Sequence, residues 1–201
     1  MTAALLVPLF GIAGGVGVAC ARALCATRAP YDDGPRPVAV RPEVFVVASA
    51  CLGLAVAWNP MPPAQVALVL VVVAALAACS AADLACGALP DAFTLTPLVL
   101  VLTVAALARD PMPALAAVFV ALPFGAGAML SRGRGLGWGD VKLAALGGAL
   151  LGAGGAVLAF ALAALAAYAV ARATGGTRRP VAFGPYLAAT IAITLPFTRS
   201  F

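Results

Sequence analysis

Residues 64–83, AQVALVLVVVAALAACSAAD, form a nearly continuous apolar run that ends on one charged residue, Asp83. A helical run of about 20 apolar residues crosses the hydrocarbon core of a bilayer, which is about 30 Å thick. Similar runs recur along the chain, and the sequence predicts hydrophobic segments at 3–21, 44–58, 64–81, 93–108, 112–130, 141–171 and 182–197. We therefore predict an all-α polytopic transmembrane bundle that forms a single integral membrane domain, 1–201.

Composition supports the same class of protein. Hydrophobic residues make up 64% of the chain, charged residues 9%, and the mean hydropathy is +1.11. Soluble domains carry about 25% charged residues, so a soluble globular fold is excluded. The net charge of +5 suits arginines beside anionic lipid headgroups and requires no nucleic acid partner.

The residue types that are missing limit the chemistry. The chain has no histidine, and its five cysteines form no Cys-x-x-Cys pair. The sequence therefore lacks the paired ligands of a typical thiolate zinc site and the residue needed for histidine-based catalysis. We interpret the cysteines as small buried apolar residues. We expect no metal and no organic cofactor. Acid–base chemistry in this chain depends on its carboxylates.

The segment 141–171 is too long for one crossing, because it would extend about 46 Å as a continuous helix. Gly152, Gly154 and Gly155 interrupt it. A turn there gives a short segment, 141–152, followed by a full span, 155–171, and raises the total from seven hydrophobic segments to eight. The short segment could also be re-entrant.

The same turn decides how positive charge is distributed across the membrane. With it, every Lys and Arg except Arg109 and Arg199 lies on one side, which the positive-inside rule identifies as cytoplasmic. The N-terminus is then outside and residues 22–43 form a cytoplasmic loop. We predict an inner (plasma) membrane protein.

Only seven residues are acidic. Four of them lie in or beside polar connections, where we expect solvated charges: Asp32, Asp33, Glu43 and Asp110. Asp83, Asp91 and Asp140 remain. The chain crosses the membrane twice between the loops that hold Asp83 and Asp140, so both lie on one face, and such carboxylates indicate function by default.

Two carboxylates in a partly desolvated site cannot both ionise easily. One retains its proton while the other activates a water, as in aspartic proteases. Gly137 and Gly139, just before Asp140, leave bare backbone that an extended peptide could approach. Gly-x-Gly-Asp is a weak pattern by itself, because glycine is common in membrane helices.

Three segments in order resemble the prepilin peptidases, membrane aspartic proteases that process type IV pilin precursors. GWGDVKLAALGGALLG (137–152) resembles their Gly-x-Gly-Asp-x-Lys-Leu segment, and ADLACGALPDAFTLTP (82–97) is similar to their first aspartate signature. VAFGPYLA (181–188) resembles their late Phe-Gly-Pro segment. The signature region covers 80–201. The resemblance implies a peptidase that cuts a prepilin or pseudopilin at the cytoplasmic membrane boundary.

The resemblance assigns the two catalytic aspartates to Asp83 and Asp140, with Gly137 and Gly139 as supporting residues. Asp91 follows Pro90 and precedes an apolar run, so we interpret it as a helix N-cap in preference to a catalytic residue. Lys142 would not share the helix face of Asp140. Its two interpretations, snorkelling to headgroups and a substrate or electrostatic role, stay open.

The N-terminal region departs from the family pattern, and other functions stay open. Many relatives carry an N-terminal domain with paired Cys-x-x-Cys motifs, associated with methylation of the cleaved pilin. The corresponding region here lacks those cysteines, so we predict a short form without this domain, and whether it methylates the cleaved pilin stays open. A presenilin-like intramembrane protease, a carboxylate-dependent transporter or proton channel, and a noncatalytic pilus-assembly scaffold are the alternatives.

Overall fold

The computed structural model describes residues 2–27, 39–59, 61–131, 137–173 and 182–198. Within these ranges all regular secondary structure is helical, which confirms the all-α prediction. The described helices are α1 (Ala3–Ala26), α2 (Pro42–Trp58), α3 (Pro63–Cys86), α4 (Asp91–Leu107), α5 (Met112–Leu130), α6 (Trp138–Ala173) and α7 (Gly184–Thr194), with a 3₁₀ turn at Leu195–Phe197.

Each predicted hydrophobic segment corresponds to a helix. In the described part of the chain, α1, α3, α5 and α6 are long and apolar enough to cross a membrane. The shorter helices α2 and α4 have 17 residues each. At about 26 Å they are slightly shorter than the hydrocarbon core, so tilt or local thinning of the bilayer would accommodate them.

Two helices are longer than predicted, one at its C-terminal end and one at its N-terminal end. Helix α3 continues to Cys86, and α6 already begins at Trp138. Asp83 and Asp140, which we expected in loops, therefore lie on helices. The reason is that intrahelical hydrogen bonds still satisfy the backbone after the side chains cease to be apolar, so a helix need not end where its apolar run ends.

The sixth helix is broken at Gly152, whose φ of 69° and ψ of 170° are not helical. This region of backbone conformation is almost exclusive to glycine. A Cβ added to Gly147 would lie 2.6 Å from Cζ of Phe160. In an unbroken helix these two residues would be about 20 Å apart. The chain thus folds back at Gly152 into two arms, 138–151 and 153–173, as the glycines predicted.

Helices α3 and α6, which carry Asp83 and Asp140, are joined by two shared neighbours. Both α4 and α7 pack against α3 and against α6, while α1 packs on α2 and α3, and α5 packs on α6. Leu76 of α3, Leu143 of α6, and Ile191 of α7 belong to one buried cluster. The core therefore extends continuously between the two aspartate-bearing helices.

The cysteines are less buried than predicted: only Cys79 is buried among the five. Cys20 and Cys51 are exposed on helix surfaces, and Cys25 and Cys86 are half-buried. The prediction that all five are buried was wrong. Lipid tails are as apolar as a protein core, so a small apolar side chain has no need to face another helix.

The predicted loop 22–43 is only partly described, since residues 28–38, with Asp32 and Asp33, lie outside the described ranges. The two described ends of this loop contact each other. The guanidinium of Arg22 donates a hydrogen bond to the backbone oxygen of Val40 at 2.7 Å. Several other cations of the predicted charge pattern also lie outside the described residues: Arg28, Arg36, Arg132, Arg134, Arg178, Arg179 and Arg199.

Candidate active site

Asp83 lies in the last turn of α3, which ends at Cys86 and is followed by Gly87 in the left-handed conformation, with a φ of 64°. Its side chain is buried. Oδ2 accepts a hydrogen bond of 3.1 Å from the backbone N–H of Gly184, the first residue of α7. The N–H groups at a helix start lack intrahelical partners and carry partial positive charge, so they favour a carboxylate.

Gly184 cannot carry a side chain in this arrangement. A Cβ added there would lie 2.7 Å from Oδ2 of Asp83 and 3.2 Å from its Cγ. The close approach of backbone to carboxylate therefore depends on glycine. Sequence reasoning missed this partner of Asp83, although Phe-Gly-Pro was one of the three segments on which the resemblance depends.

Asp140 lies in the first turn of α6 and is also buried. Its Oδ2 accepts a hydrogen bond of 3.2 Å from the backbone N–H of Gly137, three residues earlier. An acidic side chain that reaches back to the backbone before its own helix satisfies one of the free N–H groups there, as in a capping box. The bond also orients the carboxylate.

Leu89, in the connection between α3 and α4, links the surroundings of the two aspartates. A Cβ on Gly139 would lie 2.6 Å from Cβ of Leu89, and a Cβ on Gly184 would lie 3.3 Å from its Cδ1. The surroundings of Asp83 and Asp140 therefore adjoin each other at one end of the bundle. Leu89 is a second residue that sequence reasoning did not identify.

Asp91 and Lys142 form an ion pair between α4 and α6, in which Nζ lies 2.5 Å from Oδ1. The N-cap of α4 is Pro90, and no side chain caps the helix. The prediction that Asp91 is the N-cap was therefore wrong: it is the first helical residue, and its carboxylate is directed to a cation on another helix. Exposure of the two side chains is 31% for Lys142 and 63% for Asp91.

Among the described residues, no group of three or more His, Cys, Asp or Glu side chains is arranged to hold a metal ion. Asp83 and Asp140 are the two buried carboxylates of the described chain. Two neighbouring carboxylates in a desolvated site can share one proton, so one serves as an acid and the other as a base. That arrangement suits general acid–base chemistry on a bound water.

The long apolar helices define a membrane protein, and its bundle buries two carboxylates at one end. The chain belongs to the type IV leader peptidase family, whose model matches residues 68–171, or 104 of the 201 residues. The match confirms the family predicted from the three motifs, and it makes the protein a peptidase. Asp83, Asp91 and Asp140 all lie in the matched region, whereas Gly184 lies beyond it. No curated protein and no solved structure matches the chain.

Proposed function

We propose that the protein is an aspartic endopeptidase that removes the leader peptide of type IV prepilin-like proteins, with Asp83 and Asp140 as its catalytic residues. One observation carries the proposal: the two carboxylates are buried at the same end of the bundle, and each is oriented by a backbone N–H. The family supplies the general class of reaction and substrate.

The reaction requires one of the two carboxylates to be ionised and the other protonated. The ionised carboxylate removes a proton from a water, whose oxygen attacks the carbonyl carbon of the scissile peptide bond. The protonated one donates a hydrogen bond to the carbonyl oxygen, and the leaving amine receives a proton as the C–N bond breaks. No metal or organic cofactor takes part.

An apolar groove beside the site is suited to the substrate helix. It has a volume of about 230 Å³ and lies between α2, α3 and α7. Two of its lining residues adjoin the site: Ser80 lies one helical turn before Asp83, and Pro185 follows Gly184. We propose that side chains on one face of the apolar prepilin helix enter this groove, so that the bond at the end of that helix reaches the carboxylates.

The charge distribution supports a cytoplasmic site. Five Lys and Arg residues are described: Arg22, Arg41, Arg109, Lys142 and Arg172. All except Arg109 lie at the end of the bundle that holds Asp83, given the turn at Gly152. By the positive-inside rule this end faces the cytoplasm of an inner-membrane protein. The basic leader of a prepilin would lie on the same side.

The experiment that tests the proposal is cleavage of a prepilin-like substrate in membranes by the wild type and four variants. Asp83→Asn and Asp140→Asn should each abolish cleavage, because neither amide can transfer the proton. Asp91→Asn should retain cleavage. Asp110→Asn is the matched control, since it makes the same chemical change in the turn between α4 and α5, at the opposite end of the bundle. Detergent-solubilised yield verifies folding.

Other outcomes favour the rival functions. Full cleavage by Asp83→Asn would contradict the proposed pair. A cut within the apolar helix of the substrate, in place of the leader boundary, would indicate a presenilin-like protease. Proton flux through reconstituted wild type without any cleavage would indicate a transporter or channel, and neither activity would favour a scaffold. The mass of the new pilin N-terminus decides whether a methyl group is added.

A further inference from the structure

Cys25 and Cys86 are brought together by the fold although 61 residues separate them in sequence. Cys25 lies in the last turn of α1, and Cys86 is the last residue of α3. Their Sγ atoms are 2.6 Å apart. The two sulfur atoms are therefore in direct contact without being bonded, since a covalent disulfide bond is about 2.05 Å long.

The interface between α1 and α3 explains the approach. Both cysteines pack against a small buried cluster that holds Ala21, Ala78 and Ala82. Farther along the same interface, Gly17 lies directly against the backbone oxygen of Ala74, with no space for a Cβ. Small residues let two helices approach closely, and a disulfide requires Cα atoms within about 7 Å. Short side chains at the ends of these two helices can therefore meet.

Both thiols are also accessible to reagents, because each cysteine is only half-buried. Cys79, by comparison, is buried in the interior of α3. Cys20 and Cys51 are exposed, but for neither of them is a second sulfur recorded at contact distance in the described chain. Accessibility and a nearby partner thus coincide at Cys25 and Cys86.

We propose that Cys25 and Cys86 are a site of reversible oxidation that forms an intramolecular disulfide. The oxidant is a low-molecular-weight disulfide. One protein thiolate attacks it and releases one small thiol, and the second protein thiol then displaces the other, with loss of its proton. Two protein thiols are oxidised and one external disulfide is reduced to two thiols. The product covalently joins the end of α1 to the end of α3, three residues after Asp83.

The site is independent of the proposed peptidase activity, and its test uses no substrate. The purified full-length protein in detergent is treated with oxidised glutathione, and the remaining thiols are then alkylated in denaturant. Digestion after Arg and before Asp isolates Cys25 in the peptide 23–28 and Cys86 in the peptide 83–90, each without another cysteine. Mass spectrometry should find these two peptides linked, and dithiothreitol should separate them.

Cys51→Ser is the matched control and should form the link as the wild type does. Cys25→Ser and Cys86→Ser should each lose it, with helical content measured by circular dichroism to verify folding. If glutathione remains attached to either cysteine as a stable mixed disulfide, the proposal is overturned. A link from the peptide 83–90 to a cysteine other than Cys25 in the wild type would overturn it as well.

Discussion

The backbone N–H of Gly184 donates a hydrogen bond to the carboxylate of Asp83, 101 residues earlier in the chain. This bond joins the start of α7 to the last turn of α3. It places the N-terminus of α7 against one of two buried carboxylates and satisfies a backbone N–H group that has no partner within its own helix. The Phe-Gly-Pro segment therefore belongs to the surroundings of the candidate active site.

Gly184→Ala should reduce cleavage of a prepilin-like substrate by about 100-fold, because a displacement of about 1 Å at a catalytic group has an effect of that size. The added Cβ would lie 2.7 Å from Oδ2 of Asp83, so the carboxylate or α7 must move. Gly125→Ala is the control, since its Cβ would meet only Cγ1 of Val141 at 3.9 Å. Equal cleavage rates for the two variants would show that the position of Asp83 does not depend on Gly184.

The two glycines before Asp140 should respond differently to substitution. A Cβ at Gly139 would lie 2.6 Å from Cβ of Leu89, whereas the nearest atom to a Cβ at Gly137 is Oδ2 of Asp140 at 3.7 Å. Gly139→Ala should therefore reduce cleavage strongly. Gly137→Ala should remain within a few-fold of the wild type, because it retains the N–H that binds Asp140. The comparison needs only initial rates at one substrate concentration, and the reverse order would contradict the packing of Leu89.

The ion pair between Lys142 and Asp91 should contribute little to stability. Both side chains are partly exposed, and exposed ion pairs contribute about 0.2–1 kcal/mol. Lys142→Gln, Asp91→Asn and the double variant form a double-mutant cycle, for which we expect a coupling energy of about 0.5 kcal/mol. Unfolding in SDS measures it. A coupling energy near zero would show that the pair does not hold α4 to α6 in the membrane.

The turn at Gly152 should depend on glycine for conformational reasons alone. A Cβ there would meet no atom within 4 Å, yet the φ of 69° and ψ of 170° disfavour any side chain. Gly152→Ala should reduce the free energy of unfolding by about 1–3 kcal/mol.

Gly154→Ala is the matched control for this prediction, because a Cβ at Gly154 also meets nothing within 4 Å and the residue is helical. It should stabilise the protein by about 0.4–1 kcal/mol through reduced freedom of the unfolded chain. A stabilising effect of Gly152→Ala would mean that the chain does not fold back at this residue.

The helices were predictable because each long apolar run must satisfy its backbone hydrogen bonds internally in lipid. The turn within α6 was predictable for a related reason: a helix much longer than the bilayer, interrupted by glycines, has a natural place to fold back. Helix ends were less predictable. Asp83 and Asp140 lie beyond the predicted spans, and nothing in the apolar pattern indicates that the helices continue to include them.

Asp91 shows why local patterns mislead at a helix start. A short oxygen acceptor after Pro90 is typical of an N-cap, and the sequence contains nothing that contradicts this interpretation. Lys142, 51 residues later, supplies a different partner. Whether Asp91 caps its own helix or pairs with Lys142 depends on how α4 packs against α6, and no local sequence pattern describes that packing.

Composition, apolar runs and motifs were enough to predict the class of protein and the family, and they left the number of hydrophobic segments at seven or eight. They also predicted that Asp83 and Asp140 lie on one face, because two crossings separate them and parity needs no knowledge of packing. The groups that surround the two aspartates became visible only in the folded chain: Leu89 lies against Gly139 and Gly184, and the N–H of Gly184 binds Asp83. Periodicity and composition record which residues are apolar. Contacts between residues far apart in sequence depend on how the helices fit together, and close backbone approach at a glycine becomes visible only when both helices are in place.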